Sequence, residues 1–187
     1  ALKGFDGIAL IMFSDTPLVT ASTLTSLAAT IDENTSIAVL AFNASDPSGY
    51  GRLIINSNNN LIRIVEDDDT NSEENQISLV NGGIMAVRCP LLFKLLGQVR
   101  TENSKSEFYL TDIIELANQA GHNVKFKVTD ENEISGVNNR ADIAHLETVL
   151  QKRLRAEAMR QGVTLVAPDT IFLSADTTFS QDVIIEP

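Results

Sequence analysis

Two continuous apolar runs stand out near the start of the chain, with an amphipathic segment between them. Ile8–Phe13 and Ile37–Phe42 contain no polar side chain, a pattern typical of strands buried on both faces, as in parallel sheets. Leu24–Ile31 carries apolar residues at helical spacing, and Thr20 or Ser22 can cap that helix. The pattern therefore predicts a βαβ unit with a right-handed crossover.

The chain between residues 50 and 162 alternates between strand-like and helix-like patterns. Two short strands flank an Asn- and Ser-rich turn at 56–60 and predict a hairpin. The acidic run at 66–74 is predicted to be a solvated loop. The other predicted elements are a strand over Ile77–Val87, helices starting at Pro90 and at Thr111–Asp112, a strand over Val124–Val128, and a helix from about Arg140 to Gln161.

The pattern becomes short and β-rich after Gly162. Phe179–Pro187 has apolar residues at hexapeptide spacing, which amounts to one turn of a β-helix. Such solenoids need about three repeats to be stable.

Charge and composition exclude several classes of function. A net charge of −11 and a pI near 4.5 argue against nucleic-acid binding and against docking on anionic membranes. The longest apolar run is far shorter than the ~20 residues of a membrane span. The sequence opens without Met or a signal region, so we expect a cytoplasmic protein and a piece of a longer chain. Cys89, His122 and His145 have no partners at catalytic or metal spacing and are predicted to be structural.

Asp15 is the most informative candidate residue. It follows the first apolar run, so its carboxylate is expected at the carboxyl end of a sheet, where ligands bind in open α/β folds. A magnesium ion commonly takes one or two protein oxygens there. An Asx turn before Pro17 explains the same residue equally well.

Three other motifs also have two readings each. The glycines of Gly49–Arg52 permit close approach of the backbone to a ligand, although a tight turn is the simpler reading, and Arg52 is either a phosphate clamp or an exposed strand residue. Asn81 precedes two glycines inside a strand, which indicates a sugar contact or a β-bulge. Asn138 and Asn139 precede the long helix, so they are capping residues, or Asn138 is a second metal ligand.

Taken together, several strings match one known family in order and spacing. They are SDTPL at 14–18, DPSGYGR at 46–52, IVE at 64–66, NGGI at 81–84, EFYLTDII at 107–114, GVNNR at 136–140 and DVIIEP at 182–187. Over essentially its whole length the sequence resembles the bifunctional bacterial N-acetylglucosamine-1-phosphate uridylyltransferase / glucosamine-1-phosphate acetyltransferase family.

The resemblance implies a fold and a domain division. It implies an α/β, Rossmann-like nucleotidyltransferase fold with a mixed sheet that lacks its N-terminal part, followed by the start of a left-handed β-helix. Residues 1–162 would be the C-terminal portion of the uridylyltransferase domain, including the long helix. Residues 163–187 would be the first strands of the β-helix, through which the parent protein is expected to form a homotrimer.

The resemblance also implies a reaction. UTP and N-acetylglucosamine 1-phosphate would give UDP-N-acetylglucosamine and pyrophosphate, for peptidoglycan and lipopolysaccharide synthesis, and the parent protein would also acetylate glucosamine 1-phosphate. The implied Mg²⁺ ligands are Asp15 and Asn138. The implied substrate-binding residues are Gly51, Glu66, Asn81, Tyr109, Thr111 and Asn138.

The sequence departs from the family in several places. Ser14 stands where the family has Gly, Gly82 where it has Thr or Ser, and Asp68 where Lys is common. The LAAGxGTRM loop and the QPxxLGT stretch, which hold the triphosphate and uracil in the family, do not occur in the sequence. We therefore expect the isolated chain to be inactive. Two alternatives are another sugar-1-phosphate nucleotidylyltransferase and a non-catalytic sugar-nucleotide-binding module.

Overall fold

A mixed β-sheet organises the first of two units of the chain. The computed structural model describes residue 2, residues 4–137 and residues 139–187. Within them the contacts define the units Ala1–Ile134 and Ser135–Pro187. The six strands of the first unit's sheet, as far as the structure describes it, are β1 (Ile8–Ile11), β2 (Thr35–Asn43), β3 (Arg52–Ile55), β4 (Leu61–Val65), β5 (Leu79–Arg88) and β6 (Asn123–Val128).

Strand β5 is the centre of this sheet. The order is β4-β3-β5-β2-β6, and β1 also pairs with β5. Strands β1, β2 and β3 are antiparallel to β5, whereas β2 and β6 are parallel. Because β1 and β2 are both antiparallel to β5, they run parallel to each other with β5 between them. The hairpin prediction is confirmed, since β3 and β4 pair antiparallel across the turn at 56–60.

The prediction for the first strand is wrong in one respect. We expected a strand buried on both faces of a parallel sheet, but β1 pairs antiparallel with β5. Ile8 and Leu10 are 38% and 41% exposed. Within the described part of the chain β1 has a strand neighbour on one side only, so its continuous apolar sequence does not correspond to continuous burial.

Helices cover both faces of the sheet. They are α1 (Ala21–Ala28), α2 (Cys89–Leu96), α3 (Asp112–Gln119) and the one-turn α4 (Glu131–Ile134). Alternate residues of β2 enter different cores: Ile37 and Val39 lie in the core that contains α2 and α3, while Ala38 and Leu40 lie in the core that contains α1. Burial on both faces explains the unbroken apolar sequence of β2. None of the helices in the described residues is long and apolar enough to cross a bilayer.

A bulge interrupts β5 at its glycines. Between the pairs Val39–Met85 and Ala41–Asn81 the register shifts, because β5 has three residues where β2 has one. Gly83 has φ +73°, and a Cβ built on it would lie 2.6 Å from the ring of Phe13. The bulge that the sequence offered as one reading of this motif is therefore present.

We expect Gly83→Ala to lower the free energy of unfolding by about 2 kcal/mol, because a left-handed φ is strained for Ala and the Phe13 ring must move. Gly121→Ala is the matched control, since Gly121 also has a positive φ, +81°, but open space around its Cβ position. Urea unfolding of both variants measures the difference. An equal cost for the two variants would show that the contact with Phe13 is unimportant.

The second unit consists of a long helix and a short parallel strand pair. Helix α5 spans Arg140–Arg160, and β7 (Thr164–Leu165) pairs in parallel with β8 (Ile184–Ile185). The Asn139 side chain caps α5 in a reciprocal capping box with Asp142. The circuit from β7 back to β8 is the kind that a β-helix coil makes, and the β-helix itself stays a prediction.

Buried Gln151 joins α5 to the segment that follows it. Its amide donates to the Leu173 carbonyl at 2.7 Å and accepts from the Leu173 N–H at 2.8 Å. Arg155 donates to the Ile171 carbonyl at 3.2 Å. The unit division thus lies before α5, whereas the predicted domain boundary lies after it, at Gly162.

Candidate functional site

Four predicted sugar-binding residues lie together at one end of the sheet. The Thr111 hydroxyl donates to Glu66 Oε1 at 2.6 Å. A Cβ on Gly51 would lie 3.3 Å from Glu66 Oε2. The Asn81 N–H donates to the Gly51 carbonyl at 2.8 Å. We call Gly51, Glu66, Asn81 and Thr111 the Glu66 cluster.

The strand pairing explains why the Glu66 cluster forms. Arg52 pairs with Val65 across the hairpin and with Val80 of β5. The residues flanking these pairs, Gly51, Glu66 and Asn81, are therefore neighbours. These three residues are far apart in the sequence. The register of the hairpin and the pairing of β3 with β5 bring them together.

Thr111 reaches the cluster from the start of α3. It occupies the N-cap position, but its hydroxyl makes no capping bond and is committed to Glu66 instead. Thr111 is buried, so its hydroxyl needs a partner. Instead of capping α3, the Thr111 side chain bonds to Glu66 and so holds the start of this helix against the hairpin.

The cluster lies in a negatively charged environment. Burial raises the pKa of the Asp112 carboxyl, and nearby Glu115, Glu66 and Asp69 raise it further. Carboxylates in such a place can accept hydrogen bonds from sugar hydroxyls, but they repel phosphate unless a cation offsets their charge.

Tyr109 lies two residues before Thr111 on a half-buried stretch of chain. Burial raises the pKa of its phenol, and a hydrogen bond with Ser104 partly opposes that rise. The groups that act on this phenol are Ser104, Asp69, Lys105 and Glu107, so Tyr109 lies beside the Glu66 cluster.

Asp15 lies in an exposed turn after β1. The ring of Phe13, two residues earlier, lies on Gly83, to which the Asn81 side chain is hydrogen-bonded at 3.0 Å. The Asp15 turn thus follows a contact with the bulge next to the cluster. Asn138, the other predicted metal ligand, lies outside the described residues.

The donor set available for a metal ion is small. No group of three or more His, Cys, Asp or Glu side chains suited to a metal occurs among the described residues. One exposed carboxylate, Asp15, suits an Mg²⁺ ion that keeps several waters and substrate phosphate oxygens as ligands.

Arg52 is neither a phosphate clamp nor an exposed strand residue. It is 1% exposed and donates to Asp67 at 2.8 Å, to Asn75 at 2.9 Å and to the Tyr50 carbonyl. Asp67 also accepts from the Gly49 N–H at 2.8 Å. This bond first and the Arg52 guanidinium second hold the pKa of Asp67 below its usual value.

The prediction of a merely solvated acidic loop is therefore wrong for part of the run. Asp67 pairs with buried Arg52, and Glu74 pairs with Arg63 at 2.6 Å. The Asp67–Arg52 pair joins the glycine segment to the start of the acidic run. Its two members, Arg52 and Asp67, directly follow Gly51 and Glu66 of the cluster in the sequence.

Glu133 is a buried polar residue that the sequence did not single out, whereas His122 and Cys89 were predicted to be structural. Glu133 is buried and accepts hydrogen bonds from Thr20 and Thr23, while its sequence looks like an ordinary acidic turn. His122 Nδ1 is 3.2 Å from the Ser36 hydroxyl, and Cys89 is buried and free.

Comparison with known proteins assigns the chain to a family. No family model matches the sequence. Bifunctional protein GlmU of Nitrobacter hamburgensis is 43% identical over 185 residues, covering 99% of this chain and 40% of that protein. The chain belongs to the GlmU family. GlmU of Rhodopseudomonas palustris matches equally, at 43% identity over 99% of the chain and 40% of the protein. GlmU of Maricaulis maris is 43% identical over 97% of the chain and 40% of the protein.

The chain thus spans about two-fifths of the length of these GlmU relatives. Two solved structures share its fold. A CMP:2-keto-3-deoxy-manno-octonic acid synthetase in complex with CTP has a TM-score of 0.56 at 15% identity, over 81% of this chain and 64% of that one. A Bacillus anthracis protein described as a glucose-1-phosphate thymidylyltransferase has a TM-score of 0.55 at 16% identity, over 78% and 55%. The predicted α/β nucleotidyltransferase fold is confirmed.

Proposed function

We propose that the protein to which this GlmU segment belongs transfers a uridylyl group from UTP to N-acetylglucosamine 1-phosphate. The products are UDP-N-acetylglucosamine, a precursor for peptidoglycan and lipopolysaccharide synthesis, and pyrophosphate. The observation that supports this most is the Glu66 cluster, in which Thr111, Glu66 and Gly51 meet at one end of the sheet.

The chain's residues divide the binding task between them. Glu66 accepts hydrogen bonds from sugar hydroxyls, because its second oxygen, Oε2, lies beside Gly51, which has no side chain to cover it. Gly51 lets the sugar approach the backbone, and Asn81 donates a hydrogen bond to the sugar from its side-chain amide NH2. Tyr109 contributes to sugar binding beside the cluster, and Thr111 lies near the sugar phosphate.

Catalysis in this reaction means aligning two polyanions and neutralising their charge. Asp15, and Asn138 with it, would hold Mg²⁺, which when bound supplies that neutralisation. The protein's own contribution is orientation. The β3–β4 hairpin and the start of α3 orient the sugar, and the turn after β1 carries Asp15.

We propose further that the 187-residue chain binds the sugar phosphate but does not turn it over. The chain spans about two-fifths of its GlmU relatives, and the strings that hold the nucleotide in the family do not occur in it. A homotrimeric parent protein, its acetyltransferase activity and a cytoplasmic location stay predictions.

An NMR titration of the chain tests the binding role. We expect N-acetylglucosamine 1-phosphate with Mg²⁺ to shift the amide signals of Gly51 and Asn81. Glu66→Gln should weaken binding about 10-fold, as expected for the loss of a hydrogen bond to a charged group. Glu73→Gln is the matched control, because Glu73 is an exposed acid of the same run, and it should change the affinity less than about 2-fold.

Three other results would contradict one of these proposals. Glucose 1-phosphate binding as tightly as the N-acetyl sugar would favour another sugar-1-phosphate nucleotidylyltransferase. Equal weakening by both Gln variants would mean that Glu66 does not contact the sugar. Pyrophosphate release from UTP by the chain alone would refute the proposed lack of turnover.

A further inference from the structure

Residues 103–107 form a loop closed by its own hydrogen bonds. The Asn103 side chain accepts from the Glu107 N–H at 3.1 Å and donates to the Glu107 carbonyl. Ser106 has a positive φ of +53°, and its N–H donates to the Asn103 carbonyl at 3.1 Å. We call residues 103–107 the strap, since hydrogen bonds between its two ends close the loop.

Two contacts fasten the strap to the segment that carries Glu66. The Ser104 N–H donates to Asp69 Oδ1 at 3.0 Å. Lys105 forms an ion pair with Asp68, and both side chains are about half exposed. The hydrogen bond with Asp68 raises the pKa of the Lys105 amine, so this lysine stays charged.

The strap leads directly into the Glu66 cluster. Thr111 follows the strap by four residues and donates to Glu66, which precedes Asp68 by two. The segments 66–69 and 104–111 are therefore joined at three points. Thr111, which bonds to Glu66, is buried, whereas Lys105 and Asp68 are both accessible to solvent.

We propose that Lys105 and Asp68 are positioning residues whose ion pair holds the strap, and thereby keeps Thr111 on Glu66. For its ligand this inference rests on the proposed function. The pair neutralises one carboxylate of an acidic run, and its effect must decline with salt, because both partners are exposed.

Hydrogen exchange of the Ser104 amide tests the strap without any ligand. Lys105→Ala and Asp68→Ala should each speed this exchange about 2- to 5-fold, the range for an exposed ion pair, and 0.5 M NaCl should remove the difference. The exchanged pair Lys105→Asp with Asp68→Lys should restore it. Lys94→Ala is the control, since Lys94 is an exposed lysine on α2, and should change nothing.

The affinity for N-acetylglucosamine 1-phosphate, measured by NMR titration of the same variants, tests positioning. We expect weakening by the same factor of about 2 to 5 in each single variant and recovery in the exchanged pair. Unchanged Ser104 exchange in the single variants would refute the strap. Faster exchange with unchanged affinity would refute its positioning role. If the unmodified chain does not bind the sugar phosphate, the proposed function fails, while Ser104 exchange still decides on the strap.

Discussion

Replacing Asp67 with Asn should cost about 3 kcal/mol of stability, more than replacing Arg52 with Met. Arg52 is 1% exposed, and its Nε has no partner among the described residues. Losing the carboxylate leaves a buried guanidinium without a counter-charge, which is costly. Losing the guanidinium instead leaves Asp67, whose side chain is 34% exposed, hydrated and still bonded to the Gly49 N–H.

Urea unfolding at pH 7 measures this asymmetry. The pKa of Asp67 is lowered in the folded protein, so its stabilising effect is present above the unfolded pKa and is lost as pH falls through the folded pKa. The difference between the unmodified chain and Asp67→Asn should therefore shrink below about pH 4. A larger loss from Arg52→Met than from Asp67→Asn would show that the buried charge is not the main cost.

The strands and helices with one dominant pattern were predictable from the sequence. The sequence predicts that β2 is buried on both faces, and its residues do lie in both cores. The predicted ends of α5 are each within one residue of the observed ends, because Asn139 and Gly162 mark them. The first strand was not predictable in the same way. Its apolar residues specify a strand, but burial depends on which strands lie beside it, and pairing is a property of the whole sheet.

The candidate site shows the same limit. The residues of the Glu66 cluster were named through a family resemblance, because nothing local in Glu66 or Thr111 shows that they touch. The hairpin register places Gly51 beside Glu66, and the packing of α3 against β4 brings Thr111 to the same carboxylate. Asp67 was hidden within an acidic run that resembled a solvated loop, although Arg52 stands opposite the end of β4. Basic residues within the apolar strands of a hairpin next to such a run, here Arg52 and Arg63, are the available signal for ion pairs with it.

Glu133 should be the other position with a large effect on stability. Its buried carboxylate accepts from the Thr20 N–H at 2.8 Å, from the Thr23 hydroxyl at 2.6 Å and from the Thr129 hydroxyl at 2.5 Å. These bonds join the start of α1 to the turn after β6. Glu133→Leu removes the acceptor for three donors, and we expect a loss of about 3–4 kcal/mol.

The pH dependence separates charge from shape at this position. Burial alone would raise the pKa of Glu133, but the hydrogen bonds from Thr129, Thr23 and Thr20 bring it below its usual value of 4.5. The carboxylate therefore stabilises the fold above the unfolded pKa, and that stabilisation disappears as pH falls through the folded pKa. Glu133→Gln keeps one acceptor and the shape, so it should cost less than Glu133→Leu at pH 7.

Thermal unfolding of Glu133→Gln between pH 7 and pH 3 tests this sign. Its deficit relative to the unmodified chain should be largest at pH 7 and smallest at pH 3. Glu102→Gln, at an exposed position, should show no such trend. A deficit that grows on acidification would mean that Glu133 is protonated in the folded protein. The three donors would then be arranged around a neutral acid, and the start of α1 would not be held by charge.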